Sequence, residues 1–291
     1  MNNRVCAIIV TWNSVDEIKR SLPAVADQTQ EVIVVDNGSI PENLETLKRF
    51  VANFKNACVL ENKKNLGLAA AFNRGAQYAL EKEYEWFVTL DDNGRLSENA
   101  VRIMRAAYAM LPAELQKKTA IVAPNYTNLK GLVYPKREAY FVQTTVATGQ
   151  LIKTDVWKKV GGFKEDLFIA CVDHEFCFRV LRAGYKTLLV PNATLEATAG
   201  PKPEMKSLFG KRFVVPNYGP NRYYYWYRNS VYLYLTYFRY VPRWIIGNIY
   251  SNLQSVAKVV LFEEKKWQKL AMIARGIFDG LRGKYGELKR S

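Results

Sequence analysis

Apolar and polar positions over the first 125 residues fall into a repeating pattern. Val5-Cys6-Ala7-Ile8-Ile9-Val10-Thr11 is a continuous, largely β-branched run of the kind that forms a parallel strand covered on both faces. Ser14, with Glu17 three residues on, has the form of a capping box and predicts a helix to about Ala26. A second run, residues 32–35, ends at Asp36-Asn37-Gly38-Ser39, where Ser39 and Glu42 predict the next cap. Residues 58–60 lead through Asn65-Leu66-Gly67 into a helix reaching Glu81. Residues 86–90 lead through Asp91-Asp92-Asn93-Gly94 to Ser97, which is placed to open a further helix. Strand–loop–helix units in succession predict right-handed crossovers and a mostly parallel sheet flanked by helices. The polar clusters follow strand carboxyl ends, the edge where open α/β sheets bind ligands.

After residues 120–124 the pattern loosens. Residues 149–153 read as a strand, 173–183 as a short helix stopped by Gly184, and 186–190 and 193–197 as strands. From about Tyr218 the chain turns aromatic and basic, with Trp244, Ile245, Ile249, Leu253, Val256 and Val260 at helical spacing. The expected organisation is an α/β domain over 1–217 and a helical extension over 218–291.

Composition narrows the classes. At 291 residues and 49% apolar content the chain can bury a sizeable core. No window approaches the apolar length of a membrane span, and the N-terminal run is too short for a signal-peptide core, so a cytoplasmic protein is expected. No G-x-G-x-x-G follows the first strand and no P-loop is present, which argues against a dehydrogenase or an ordinary NTPase. Cys6, Cys58, Cys171 and Cys177 lack metal-ligand spacing and read as buried thiols. His174 is the only histidine, which excludes a histidine-rich metal site. The net charge of +15 is concentrated: residues 221–291 hold thirteen Lys/Arg against four Asp/Glu.

Three clusters could carry chemistry. Asp36, beside Thr11-Trp12-Asn13, can accept the imide N–H of uracil or thymine from a strand end, and the neighbouring amides can hold a ribose; Asp-Asn-Gly-Ser is also an ordinary turn. Asp91-Asp92-Asn93 can hold Mg²⁺ or Mn²⁺ and so neutralise a diphosphate leaving group; adjacent acids before a glycine turn also occur for structural reasons alone. Asp173 can act as a general base on a hydroxyl or simply cap a helix, and a helix N-terminus would lower its basicity.

Taken in order, these pieces resemble the inverting family-two glycosyltransferases of GT-A fold, in the branch of the bacterial rhamnosyltransferases and galactofuranosyltransferases. The resemblance spans about residues 5–229. It runs from Val10-Thr11-Trp12-Asn13 and Val35-Asp36-Asn37-Gly38-Ser39 through Asn65-Leu66-Gly67, Asn73-Arg74-Gly75, Leu90-Asp91-Asp92-Asn93 and Gly161-Gly162-Phe163. It continues through Asp173-His174-Glu175-Phe176-Cys177-Phe178-Arg179 to Tyr224-Tyr225-Trp226-Tyr227-Arg228-Asn229. It implies a nucleotide-sugar half at about 1–125 and an acceptor half at about 126–217. Thr11, Asn13, Asp36 and Asn37 would contact the nucleoside; Asn65, Gly67 and Asn73 would help hold the donor, and Asp91 and Asp92 would lie against ribose and metal-bound diphosphate. Asp173 would be the base, with Thr148, Gly149, His174 and Trp226 on the acceptor side.

Two departures stand out. Asn93 occupies a position that is usually Asp, and Glu196 one where the family commonly has a metal-binding His. The paired change conserves formal charge, so Glu196 is expected either to restore a cation site with Asp92 and Asn93, favouring harder cations, or to face solvent. A binding protein with a decayed metal site is the competing reading.

Arg222, Arg228, Arg239, Arg243, Lys258, Lys265, Lys266 and Lys269 alternate with aromatics. Such helices suit an anionic membrane surface, here the inner face of the cell membrane; the alternative is packing on the catalytic domain or in a homodimer. No nucleic-acid motif accompanies the charge. The resemblance implies a lipid-linked or oligosaccharide acceptor, with dTDP-rhamnose first and a UDP-sugar such as galactofuranose second as donor.

Overall fold

The computed structural model describes residues 4–128, 131–132, 138–196, 204–208 and 211–289. Two compact units share the chain: Met1–Glu165 with Val172–Ala197, and Asp166–Cys171 with Thr198–Ser291.

The first unit opens with the alternation expected: β1 (Val5–Thr11), α1 (Val15–Ala26), β2 (Glu31–Asp36), α2 (Pro41–Val51), β3 (Ala57–Glu61), α3 (Leu68–Glu81) and β4 (Trp86–Asp91). It continues with β5 (Arg95–Leu96), α4 (Ala100–Ala109), α5 (Ala113–Lys118), β6 (Thr119–Asn128), β7 (Gly131–Leu132), β8 (Tyr140–Val142), β9 (Leu151–Lys153), α6 (Thr154–Val160), α7 (Val172–Arg182) and β10 (Lys186–Glu196). The sheet runs β3-β2-β1-β4-β9-β6-β10-β5, with β7 on β6 and β8 on β10. Pairing is parallel from β3 to β4, while β9 lies antiparallel to both β4 and β6.

Alternate residues of β1 serve opposite layers, as strand pleating requires. Val5, Ala7 and Ile9 join Ile18, Leu22 and Val25 of α1 and Val101 and Met104 of α4 in one apolar cluster. Ile8 meets α3 at Gly75, where a Cβ would collide with the isoleucine side chain. Buried Ala69, Ala71, Ala76 and Ala79 keep the rest of that helix slim.

Strand positions match the apolar runs, and the serine caps do not hold. Ser14 precedes α1 without a capping bond, α2 starts after Ile40 with Pro41 in its first turn, and α4 starts three residues after Ser97. The Ser39 hydroxyl accepts the Asn13 N–H at 2.7 Å, and that of Ser97 accepts the Thr194 N–H at 3.3 Å. Long-range bonds have claimed the hydroxyls that a local reading assigns to caps. The two strands expected over 186–197 are one strand with a register shift between Val190 and Thr194; Ala197 lies outside the described residues.

The second unit holds the hairpin β11 (Glu204–Leu208) and β12 (Lys211–Val215), then α8 (Pro220–Tyr237), α9 (Pro242–Phe262) and α10 (Lys266–Leu281). α10 packs tightly on α8: a Cβ on Gly276 would lie 2.5 Å from the Tyr224 carbonyl, and one on Gly280 2.8 Å from that of Arg228. Glu263, Lys269 and Arg228 are buried here, and each is hydrogen-bonded. Lys269 bridges Glu263 at 2.7 Å and Asn217 at 2.6 Å, and the Tyr223 hydroxyl completes Glu263 at 2.6 Å. Arg228 reaches the carbonyls of Asp166, Leu167 and Gly286, with its guanidinium 4.9 Å from the Tyr225 ring centroid. Asn229 donates to the carbonyls of Leu167, Ile169 and Ala170, each at 2.9 Å. Those bonds hold a hexapeptide in which Phe168, Ala170 and Cys171 are all left-handed. Each such non-glycine residue costs about 1–3 kcal/mol, which the carbonyl bonds offset.

Candidate active site

Strand order reverses at β1, with β2 on one side and β4 on the other, and a crevice at such a switch point is the usual ligand site of an open α/β sheet. Register brings the key residues abreast: Thr11 pairs with Asp36, and Val10 with Asp91. Asp36 is fully buried. Its Oδ2 accepts the N–H groups of Gly38 and Ser39, both at 3.1 Å, closing the turn. Its Oδ1 and the Thr11 Oγ1 are buried with no hydrogen-bond partner. A desolvated polar group left unpaired costs about 1–3 kcal/mol, and more if charged. The two stand on neighbouring strand ends at the switch point.

The asparagines around this edge serve mainly one another. Asn37 donates to Asn65 Oδ1 and the Gly67 carbonyl, and accepts from Asn62 Nδ2 and the Leu66 N–H. Its amide is thereby saturated. Asn65 also accepts the Gly67 N–H at 2.9 Å, and Gly67 takes φ +87° as the chain turns into α3. Asn13, itself left-handed, accepts the Ile40 N–H at 2.8 Å. Asn73 is saturated too: it donates to Phe163 O and Glu165 Oε1 and accepts from Phe163 N and Trp157 Nε1. The side chains of Asn37 and Asn73 therefore shape the loops, and the loop backbones are what they present.

The acidic turn rests on a strut. The Asp91 N–H donates to Thr148 Oγ1 at 3.2 Å, and a Cβ on Gly94 would lie 2.5 Å from the same oxygen. Gly149 follows at φ +85°, its N–H on the Thr89 carbonyl at 2.6 Å. Thr148 and Gly149 thus support the carboxyl end of β4 from below. Burial pushes the Asp92 carboxyl up from its ordinary value, with Glu17 adding to the rise, while bonds from Ser14 and the Asn93 backbone oppose it. Glu196 is exposed and pairs in register with Arg95, two residues past Asn93.

Asp173 lies in the first turn of α7, where its Oδ1 accepts the His174 N–H at 2.9 Å. His174 Nδ1 lies 2.8 Å from Thr144 Oγ1, so the start of α7 is tied to the segment that carries Thr148. Trp226 lies on α8 in the second unit, its indole N–H on Asn252 Oδ1 at 2.8 Å.

Sequence reasoning missed Ser14, Asn62 and Thr144. Ser14 has the local signature of a cap, and the other two carry no local signal, since each matters only through a partner at least 25 residues away. It also missed a cavity of about 480 Å³ between α3 and α6, lined by Asn62, Arg74, Gln77, Trp157, Lys158 and Glu165. None of Asp36, Asp91, Asp92 or Asp173 lines it.

A parallel β3-β2-β1-β4 half with an acidic turn at its switch-point edge, continued beyond β4 by a mixed half in which β9 is antiparallel and β6 and β10 are parallel, has the GT-A architecture. The chain belongs to Glycosyl transferase family 2, whose family model matches residues 6–166, and it is a glycosyltransferase. It is 25% identical over 297 residues to dTDP-rhamnosyl transferase RfbF of Shigella flexneri, covering 97% of each chain. It is 26% identical over 210 residues to galactofuranosyltransferase GlfT1 of Mycobacterium tuberculosis, covering 63% of this chain and 66% of that one. Among solved structures, Staphylococcus aureus TarS residues 1–349 with UDP-GlcNAc superposes at a TM-score of 0.65 and 15% identity, over 95% of this chain and 81% of that one. Mannosyltransferase PcManGT of Pyrobaculum calidifontis, in complex with GDP-Man and Mn²⁺, superposes at 0.57 and 14% identity, over 97% and 88%.

Proposed function

We propose that this transferase moves a sugar, with inversion, from a nucleotide diphosphate to a hydroxyl of a lipid-linked or growing cell-surface polysaccharide. The observation that carries the donor side is the pair of buried, partnerless oxygens, Asp36 Oδ1 and Thr11 Oγ1, at the switch point. A pyrimidine offers the missing donor as its imide N–H. Thymine and uracil offer it alike; the similarity to RfbF over 97% of each chain favours dTDP-rhamnose, and GlfT1 favours a galactofuranosyl donor, on a uracil nucleotide, as the second choice.

The acidic turn fits a divalent ion of a particular kind. Among the described residues no three His, Cys, Asp or Glu side chains cluster into a protein-only cage. Mg²⁺ and similar ions are commonly held by one or two carboxylates with substrate phosphates completing the set. Asp91 and Asp92, with Asn93 next in sequence, suit that mode, and burial of Asp92 penalises its charge until a cation offsets it. Glu196, in register with Arg95, would join only by reaching across from β10. Mg²⁺ or Mn²⁺ bound there would neutralise the departing diphosphate.

Asp173 takes the proton of the acceptor hydroxyl as that oxygen attacks the anomeric carbon and the nucleotide diphosphate leaves from the opposite side. No helix among the described residues is long and apolar enough to cross a membrane. A lipid-linked acceptor would be met at the inner membrane face, which calls for a peripheral position there.

A thermal-shift screen of dTDP-rhamnose, UDP-galactofuranose and GDP-mannose, each with and without Mg²⁺ or Mn²⁺, tests the donor assignment. One pyrimidine nucleotide sugar should stabilise the protein, and more so with the cation; a GDP-sugar as the sole stabiliser would refute it. Asp173→Asn should lose about 10²–10⁴-fold in transfer while binding donor as before. A variant that transfers normally removes Asp173 from the mechanism. A wild type that binds no nucleotide sugar with any divalent ion supports the scaffold reading.

A further inference from the structure

Helix α9 has two apolar faces, and the protein uses one of them. Ile245 and Val259 are fully buried, Val259 among Tyr223, Tyr227 and Ile273. On the other side Ile246, Ile249, Tyr250, Leu253, Val260 and Leu261 leave between 41% and 65% of their surface in solvent. At 3.6 residues per turn these six fall within an arc about 120° wide and form a stripe about 22 Å long. An exposed apolar stripe of that extent is an interaction surface.

Charge selects the occupant. The chain carries no Asp or Glu from Asn221 to Phe262. Exposed Arg239 and Arg243 stand at one end of the stripe, and exposed Lys265 and Lys266 at the other, where Glu264 is outnumbered. Trp267, beside those lysines, is 85% exposed. A second copy stacked antiparallel on this face would set cations against cations with no acid along the stripe to relieve them. An anionic lipid surface offers acyl chains to the stripe and phosphates to both ends.

We propose that the outward face of α9 seats in an anionic lipid interface, with Ile249 and Leu253 at its centre and Arg239, Arg243, Lys265 and Lys266 against headgroup phosphates. The inference deepens the peripheral placement proposed above by naming the surface that makes it, and it stands on α9 whatever the donor.

The full chain is sedimented with vesicles of phosphatidylcholine containing phosphatidylglycerol, and with vesicles of phosphatidylcholine alone. Binding is expected on the anionic vesicles only, and it weakens as salt rises. The double variant Ile249→Gln/Leu253→Gln should partition about tenfold less or weaker still, with unchanged circular dichroism because both side chains are exposed. Arg239→Gln/Arg243→Gln should partition roughly tenfold less or weaker still on anionic vesicles. The proposal is overturned if the Gln double variant binds as well as wild type, or if wild type binds neither vesicle. It is also overturned if wild type is a dimer that the Gln variant dissolves without any lipid binding. Donor-induced thermal shifts in the same samples without vesicles report on the donor reading separately, so either idea can fail alone.

Discussion

Polar groups are buried in both units of this chain, and two clusters of them are treated in opposite ways. In the C-terminal unit Lys269 and Glu263, each 2% exposed, share an ion pair that Asn217 and Tyr223 complete. Arg228, 1% exposed, has carbonyls for its terminal nitrogens, Asn229 for its Nε and aromatic rings around it. At the sheet edge of the first unit, Asp36 Oδ1 and Thr11 Oγ1 have no partner, and burial lifts the Asp92 carboxyl above its ordinary range. Satisfied burial holds a fold together. Unsatisfied burial carries a cost that a ligand can relieve. Ser21 Oγ, Trp86 Nε1, Gln150 Oε1 and Thr154 Oγ1 also lack partners, so position at the switch point is what distinguishes Asp36 and Thr11.

That contrast can be broken by substitution. Lys269→Met leaves Glu263 charged and buried, and should cost about 3–5 kcal/mol in urea unfolding; a loss under about 1 kcal/mol would mean the pair is not desolvated in solution. Asp36→Asn should do the reverse. The amide oxygen can still accept from Gly38 and Ser39, so stability should fall by less than the about 3–5 kcal/mol expected for Lys269→Met. Affinity for the nucleotide should fall about 10–100-fold by calorimetry, the worth of a hydrogen bond to a charged group. Equal affinity would show that the orphaned oxygen is not the base contact.

The smallest effect sharpens the contrast through pH. Because burial raises the Asp92 pKa in the folded state, its favourable contribution is present below the ordinary carboxylate pKa and lost as pH rises through the raised value. In metal-free buffer at neutral pH, Asp92→Asn should therefore melt slightly above wild type. The gap should close as pH falls through the raised value, and adding Mg²⁺ with donor should reverse the order. A variant less stable than wild type at neutral pH would contradict the assignment.

Much of the first unit was legible because β-branched runs such as residues 5–11 and 32–35 need no partner to declare themselves. The edge carrying Asp36 and Asp91 was equally legible, since each acid follows such a run directly. Less visible was what the intervening amides do. Asn37 and Asn73 look like ligand contacts in sequence, yet their partners, Asn62, Asn65, Phe163 and Glu165, saturate them across the fold. Ser14, Ser39 and Ser97 carry the residue type of a cap, and distant groups took their hydroxyls. Hydrophobic period is a local signal; hydrogen-bond ownership is settled only when the whole chain competes for each donor.

Residues 166–171 leave the first unit and group with the chain that follows residue 198, and the first unit resumes at Val172, one residue before Asp173. A gene shortened after codon 197 would keep this hexapeptide while deleting Arg228 and Asn229, the donors to its four carbonyls at Asp166, Leu167, Ile169 and Ala170. No single cut yields an intact piece. Shuffling between relatives can succeed only when the hexapeptide and its distant holder travel together, which makes this chain one heritable unit despite its two bodies.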